Sequence, residues 1–302
     1  MRMNFHKLAY ALFLITLALP SLSQRADSVR TVKPGAVLVQ VSKQFSFTEG
    51  PAVDKKGNIY FTDQPNDRIW KYDTDGKLSL FMEKTGRSNG LYVDKKGRIL
   101  SCADEKNEIL AISPNKEVTV LLSGYEGKKF NGPNDLWPDA KGGIFFTDPF
   151  YARDYWTRKQ SEMDGQKVYY LPKGATKPIV VESELQQPNG IVGTPDGKYL
   201  FVADIRANKT YKYQINADGT LSNKQLFAPL GSDGITLDNE GNLYLTGRGV
   251  TVFDASGTKI GNISVPSRWT ANVCFGGKDR RTLFITATDA VYTLQMQVKG
   301  VE

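Results

Sequence analysis

The chain of 302 residues has a single histidine, His6, and it lies in an apolar stretch at the N-terminus. If that stretch is removed, no imidazole remains, which excludes a Ser-His-Asp relay and the usual zinc sites, since both draw on histidine as base or ligand. The run Gly86-Arg87-Ser88-Asn89-Gly90 spells the G-x-S-x-G pattern of a nucleophile elbow. With no histidine to partner it, the run reads as part of a structural repeat, and no serine or cysteine nucleophile is assigned. Cysteine is scarce too: Cys102 and Cys274 are the only two. They fall in strands of non-adjacent repeats and are expected to be buried thiols that pack as small hydrophobes. No apolar run reaches the roughly 20 residues that a membrane-crossing helix needs, so stable membrane insertion is not expected. Lys and Arg outnumber Asp and Glu by 39 to 32, but they are scattered over D-K-K-G turns. No basic stripe interleaved with stacking aromatics is present, so no nucleic-acid partner is expected.

What is present begins with a leader. Arg2, His6 and Lys7 precede an apolar run at residues 8–19, and Ser21 and Ser23 offer small residues for cleavage. Residues 1–23 are therefore expected to be a secretory signal peptide, which makes the protein periplasmic or secreted. Removing them takes away Arg2 and Lys7 and no acidic residue, lowering the formal charge from +7 to +5. Residues 24–302 carry one continuous period with no linker, and are read as one domain.

The period is clearest in residues 128–151, KKFNGPNDLWPDAKGGIFFTDPFY, where a polar turn, two short apolar runs and a second turn follow one another without helical spacing. Aligning the chain on the residue at each strand entrance gives Glu49, Asn89, Asn134, Asn189, Asp233 and Asn272, separated by 40, 45, 55, 44 and 39 residues. Most copies continue with a D-x-x-G turn and a strand such as NIYFTD, GIFFTD, YLFVAD or NLYLTG. Repeats of about 40 residues, each with four short strands, predict an all-β fold, a six-bladed β-propeller. The alternating residues 37–41 predict a strand that closes the ring at the outer edge of the last blade. The long separation in blade 3 comes from an insertion, residues 149–164, PFYARDYWTRKQSEMD, expected to overhang the entrance residues.

In a propeller the first strand of every blade lines the axis, so the six entrance residues should converge at one mouth. Asn-Gly and Asp-Gly are ordinary turn residues, and any one copy is explained as a turn. Turns do not explain why the same repeat position becomes Glu in blade 1 and Asp in blade 5. Two carboxylates and four amides make an all-oxygen nest suited to a hard divalent cation, Ca²⁺ first, with Mg²⁺, Mn²⁺ or Zn²⁺ as alternatives. Buried anions without a cation would be costly.

Six short motifs carry a family resemblance: Phe47-Thr-Glu-Gly-Pro51, Asn131-Gly-Pro-Asn-Asp-Leu136, Phe146-Thr-Asp-Pro149, Gln187-Pro-Asn-Gly190, Ser232-Asp-Gly234, and Asn272 with Phe275-Gly-Gly277. In this order and spacing the chain resembles the gluconolactonase family, which includes regucalcin and luciferin-regenerating-enzyme-like proteins. The resemblance implies a six-bladed propeller with one divalent metal on its axis, held by Glu49, Asn189 and Asp233, with Asn134 as a further ligand or substrate contact. It also implies hydrolysis of a sugar lactone to the aldonic acid, a carboxylic ester hydrolase activity, with phosphoester hydrolysis in some relatives. Gly132 stands where regucalcin-like members carry an arginine. On this reading Asp233 is the catalytic base toward a small-molecule lactone. Asn134, Asn89, Asn272, Arg153, Tyr155 and Trp156 are the expected substrate contacts, with Lys128 and Lys129 at the rim. A phosphotriesterase-like hydrolase on the same metal, or a non-enzymatic propeller stabilised by calcium, are the alternatives. The sequence leaves the oligomeric state open.

Overall fold

The strands follow from residue type: each apolar run is short, rich in β-branched and aromatic residues, and bounded by Gly, Asp or Asn. The computed structural model describes residues 29–302; the expected signal peptide, residues 1–23, lies outside them. Among the described residues the only helical element is one 3-10 turn, Gln64–Asn66, and everything else regular is strand. The strands form six antiparallel sheets of four, so the fold is a six-bladed β-propeller.

Ring closure is as expected. The strand Val39–Ser42 joins Ala290–Gln295 at the outer edge of the last blade, with Val39 opposite Thr293. Beside it, Thr48 at the start of blade 1 bonds blade 6 through its N–H to Thr288 O (2.7 Å) and through its Oγ1, which donates to Ala290 O (3.1 Å) and accepts from Ala287 N–H (3.0 Å). The two ends of the ring are thereby stapled by backbone pairing rather than by a disulfide. Cys102 and Cys274 are both free and buried.

Burial follows strand position. The second strands Ile99–Ala103 and Ile144–Asp148 are buried throughout, because both faces pack on neighbouring blades. The outer strand Val118–Leu122 is largely exposed. On the face away from the entrance residues, Asp-x-x-Gly turns join first and second strands. In the first of them Asp54 Oδ1 accepts the N–H groups of Lys56 (2.8 Å) and Asn58 (3.0 Å).

One expectation changes. The pairs Glu49-Gly50, Asn89-Gly90 and Asn189-Gly190 are not turns that precede a strand. They lie inside the first strands Thr48–Val53, Ser88–Val93 and Pro188–Gly193, at places where the pairing register shifts. Such bulges bend a strand and re-aim a side chain. Crowding at the axis is the reason for the glycines: a Cβ on Gly50 would stand 2.1 Å from the Asn89 carbonyl oxygen, and one on Gly90 would stand 2.5 Å from that of Asn134.

Candidate functional site: an oxygen-lined mouth on the axis

A recurring device positions the entrance residues. The aspartate that ends the second strand of a blade accepts hydrogen bonds from the backbone leading into the first strand of the same blade. Asp63 Oδ1 accepts from Ser46 and Phe47 N–H, just ahead of Glu49. Asp148 accepts from Asn131 and Gly132 N–H, ahead of Asn134, and Asp204 from Gln186 and Gln187 N–H, ahead of Asn189. The threonine before Asp63 reaches the next blade, with Thr62 Oγ1 donating to Asn89 O (3.1 Å). In blade 1 the F-T-D sequence thus ties the entrance loop down and locks it to the next blade.

Four of the six entrance residues, Glu49, Asn89, Asn134 and Asp233, line one cavity of about 310 Å³. Its remaining wall is Phe47, Gln64, Tyr151, Arg153, Ile205 and Trp269. Asn189 stands directly behind: its Nδ2 donates to Asp233 Oδ1 at 2.8 Å and to Tyr151 Oη at 2.9 Å. Asn272 sits deeper, its Nδ2 3.4 Å from Asp135 Oδ2 and its Oδ1 accepting the N–H of Val273.

The insertion overhangs this mouth, but its side chains divide into two groups. Arg153 and Tyr151 face the cavity. Tyr155 and Trp156 turn back to Asp104 at the top of blade 2 and are not on the cavity wall: Tyr155 Oη donates to Asp104 Oδ2 (2.6 Å) and Trp156 Nε1 to Asp104 O (2.9 Å). The same Asp104 Oδ2 accepts from Arg153 Nε (2.6 Å) and Gln64 Nε2 (2.8 Å). Trp156 also accounts for Gly132, where a Cβ would come within 3.1 Å of the indole and 2.9 Å of Asp104 Oδ1. The loop fills the space an arginine side chain at position 132 would need, and supplies Arg153 instead. Lys128 and Lys129 are exposed and do not line the cavity.

Sequence reasoning did not single out Asp135, Gln64, Tyr151 or Trp269. Gln64 and Ile205 both follow the aspartate that closes a second strand, so the repeat register itself could have flagged them. Trp269 lies in an irregular loop that carries no such signal.

The electrostatics are strained in one direction. Burial, then Asp233 and Asp135, hold the Glu49 carboxyl well above its ordinary range. Burial pushes Asp233 up to about 6, against the opposing pull of the Trp269 N–H, Asn189 and Arg153. Asp135, deeper on the axis, is pushed up to about 8, again chiefly by burial. Two amide oxygens at the same place, Asn89 Oδ1 and Asn189 Oδ1, are buried with no hydrogen-bond partner. Orphaned acceptors beside buried carboxylates are what a site made for a cation leaves behind when its donors face only one another. Among the described residues no three His, Cys, Asp or Glu side chains are grouped so as to hold an ion alone, so these amides would have to complete the set. A half-turn of the Asn189 amide exchanges its two ends and brings an oxygen to the place 2.8 Å from Asp233 Oδ1 that Nδ2 now holds. The donors fit a hard divalent ion.

Fold and site together define a six-bladed propeller with an acidic, oxygen-lined pocket at one end of its axis. Residues 47–289 match the SMP-30/Gluconolactonase/LRE-like region, and the chain belongs to that family. It is 28% identical over 310 residues to a gluconolactonase of Zymomonas mobilis, a match covering 92% of this chain and 86% of that protein. The solved structure of a gluconolactonase from Xanthomonas campestris superposes with a TM-score of 0.82 at 26% identity, covering 90% of this chain and 93% of that one. The calcium-binding protein regucalcin of Agrobacterium tumefaciens shares the fold, with a TM-score of 0.71 at 19% identity over 86% of this chain and 94% of that one.

Proposed function

We propose that this protein is a divalent-cation-dependent lactonase that opens a small polyhydroxylated lactone to its hydroxy acid. The observation that carries this reading is the meeting of Glu49, Asp233 and the orphaned oxygen of Asn89 at one pocket of sugar size, with the orphaned oxygen of Asn189 directly behind Asp233, in a chain whose relatives include gluconolactonases. Glu49, Asn189 and Asp233 would hold the ion, with Asn134 beside it. When bound, the ion supplies polarisation of the lactone carbonyl and acidification of water.

The side chains do the rest. Asp233 is held by the Trp269 Nε1–H on Oδ2 (2.7 Å), and takes the proton of the attacking water as the water oxygen bonds to the carbonyl carbon. The ring C–O bond then breaks and the departing alkoxide receives that proton from Asp233, leaving a free hydroxyl and a carboxylic acid that releases its own proton to solvent. Tyr151, kept protonated chiefly by burial and by Asp233, lines the same cavity and offers its hydroxyl to a substrate oxygen. Arg153, anchored through Nε on Asp104, has no further hydrogen-bond partner among the described residues, which leaves both Nη groups for substrate hydroxyls. Among the described residues no helix is long and apolar enough to cross a membrane; the leader-like sequence of residues 1–23 supports the reading that the enzyme is exported.

A pH-stat assay on a panel of aldonolactones, with and without Ca²⁺, Mg²⁺, Mn²⁺ and Zn²⁺, tests the reading. Cation-dependent acid release on at least one lactone is expected; no release on any, with a cation bound, refutes it.

A further inference from the structure

A second cavity opens on the opposite face, where the Asp-x-x-Gly turns lie. It is about twice the size of the mouth, at about 640 Å³, and runs between blades 2 and 3 toward the axis. Its floor is apolar: Tyr92 and Leu100 from blade 2, and Trp137, Ile144 and Leu171 from blade 3. Trp137 is seated on Gly193 of blade 4, where a Cβ would come within 2.3 Å of the indole. Lys95, Lys96, Arg98, Lys141 and Lys173 ring the opening.

The charges around it are unevenly satisfied. Arg98 is paired with Asp94 at 2.8 Å. Asp139 is occupied by the Gly143 N–H and the Tyr170 O–H. Lys95, Lys96 and Lys173 are exposed and have no carboxylate within ion-pairing distance among the described residues. Glu302 at the inner end is the remaining acid of the lining.

We propose that this cavity is a second ligand site, distinct from the lactonase mouth, and that its occupant is a small amphipathic anion. The class is a carboxylate or sulfonate that carries one or two apolar rings or a medium alkyl chain. The volume lies within the range that accommodates such molecules, and a cavity with aromatic walls and a few charged groups at one end is the form small-molecule sites take. The apolar body lies on Trp137, Tyr92 and Leu171, and the anionic head meets the lysine rim, where its charge is complemented and still partly hydrated. A sugar lactone has neither feature, so the two cavities select different chemistries. They are joined by backbone: Trp137 lies three residues beyond Asn134, and Gly193 ends the strand Pro188–Gly193 that carries Asn189.

Fluorescence titration of the folded protein with 8-anilinonaphthalene-1-sulfonate, with decanoate as competitor, tests this. One saturable site is expected, displaced by decanoate and weakened as salt is raised. The double variant Lys96→Glu/Lys173→Glu, both exposed positions, should weaken the probe by about tenfold or more with its thermal midpoint unchanged. Asp233→Asn should leave the probe's affinity as it was. Absence of a saturable site, equal affinity in the double lysine variant, or loss of binding in Asp233→Asn would each overturn the proposal.

Discussion

The protein holds two sets of carboxylates at opposite ends of its strands, and they behave in opposite ways. On the turn face, Asp73 is ringed by the N–H groups of Lys77 and Asp75, and the first of these chiefly keeps its carboxyl below the ordinary range. Asp254 is likewise lowered, by the Ser256 hydroxyl and then the Thr258 N–H. At the mouth, Glu49, Asp135 and Asp233 are raised because burial strips their water before enough donors replace it. A carboxylate surrounded by backbone donors becomes a brace; the same group buried where six strands converge is left with too few donors, the condition on which the proposed cation and base roles rest.

The sharpest way to probe this contrast is to remove one acid from each set. Asp233→Asn should lower lactone turnover by about 10²–10⁴-fold with its β-sheet circular dichroism spectrum retained. Asp238, on the turn face, accepts from Glu240 N–H, Asn242 N–H, Asn242 Nδ2 and Tyr244 Oη. Asp238→Ala should therefore do the reverse, costing about 1–3 kcal/mol in denaturant unfolding while turnover per folded molecule is kept.

A pH series separates the two sets without mutation. For the raised group, the folded protein binds more protons than the unfolded chain between the unfolded and folded pKa values, so stability falls as pH rises through that window. For Asp233 the window runs from its ordinary 3.8 to about 6, and for Asp135 from 3.8 to about 8. The lowered turn aspartates act oppositely and lose their contribution only as pH falls below the ordinary carboxylate range. The melting temperature of cation-free protein should accordingly be higher near about pH 5 than near about pH 8, and added Ca²⁺ should narrow the difference, the remainder coming from Asp148 and Glu302, which burial pushes up to about 7 away from the mouth cavity. The smallest effect is expected at the loop anchor. Asp104→Asn loosens Arg153 and should raise KM for the lactone by about 3–10-fold with kcat little changed, measured by steady-state kinetics, and Arg153→Lys should raise it similarly.

The blade count, the closing strand at residues 37–41 and the overhang of residues 149–164 were legible because a period of two and a repeat of about 40 residues survive in the letters. The ring of entrance residues was legible for the same reason. What the letters do not carry is direction within irregular backbone. Tyr155, Trp156 and Arg153 share a loop and all three bond to Asp104, 49 residues away from Arg153, yet only Arg153 also reaches the cavity wall. Asp135 escaped notice because it occupies the place where four of the other five blades have glycine. Its side chain takes the space on the axis that those glycines leave open, reaching toward Asn272.

The most direct test is the initial rate of hydrolysis of glucono-1,5-lactone after exhaustive chelation and then across a titration of free Ca²⁺. The rate should fall to the uncatalysed level and return along a saturation curve that Glu49→Gln shifts to higher Ca²⁺. Undiminished turnover in excess chelator would contradict the assignment of the mouth carboxylates to a divalent cation.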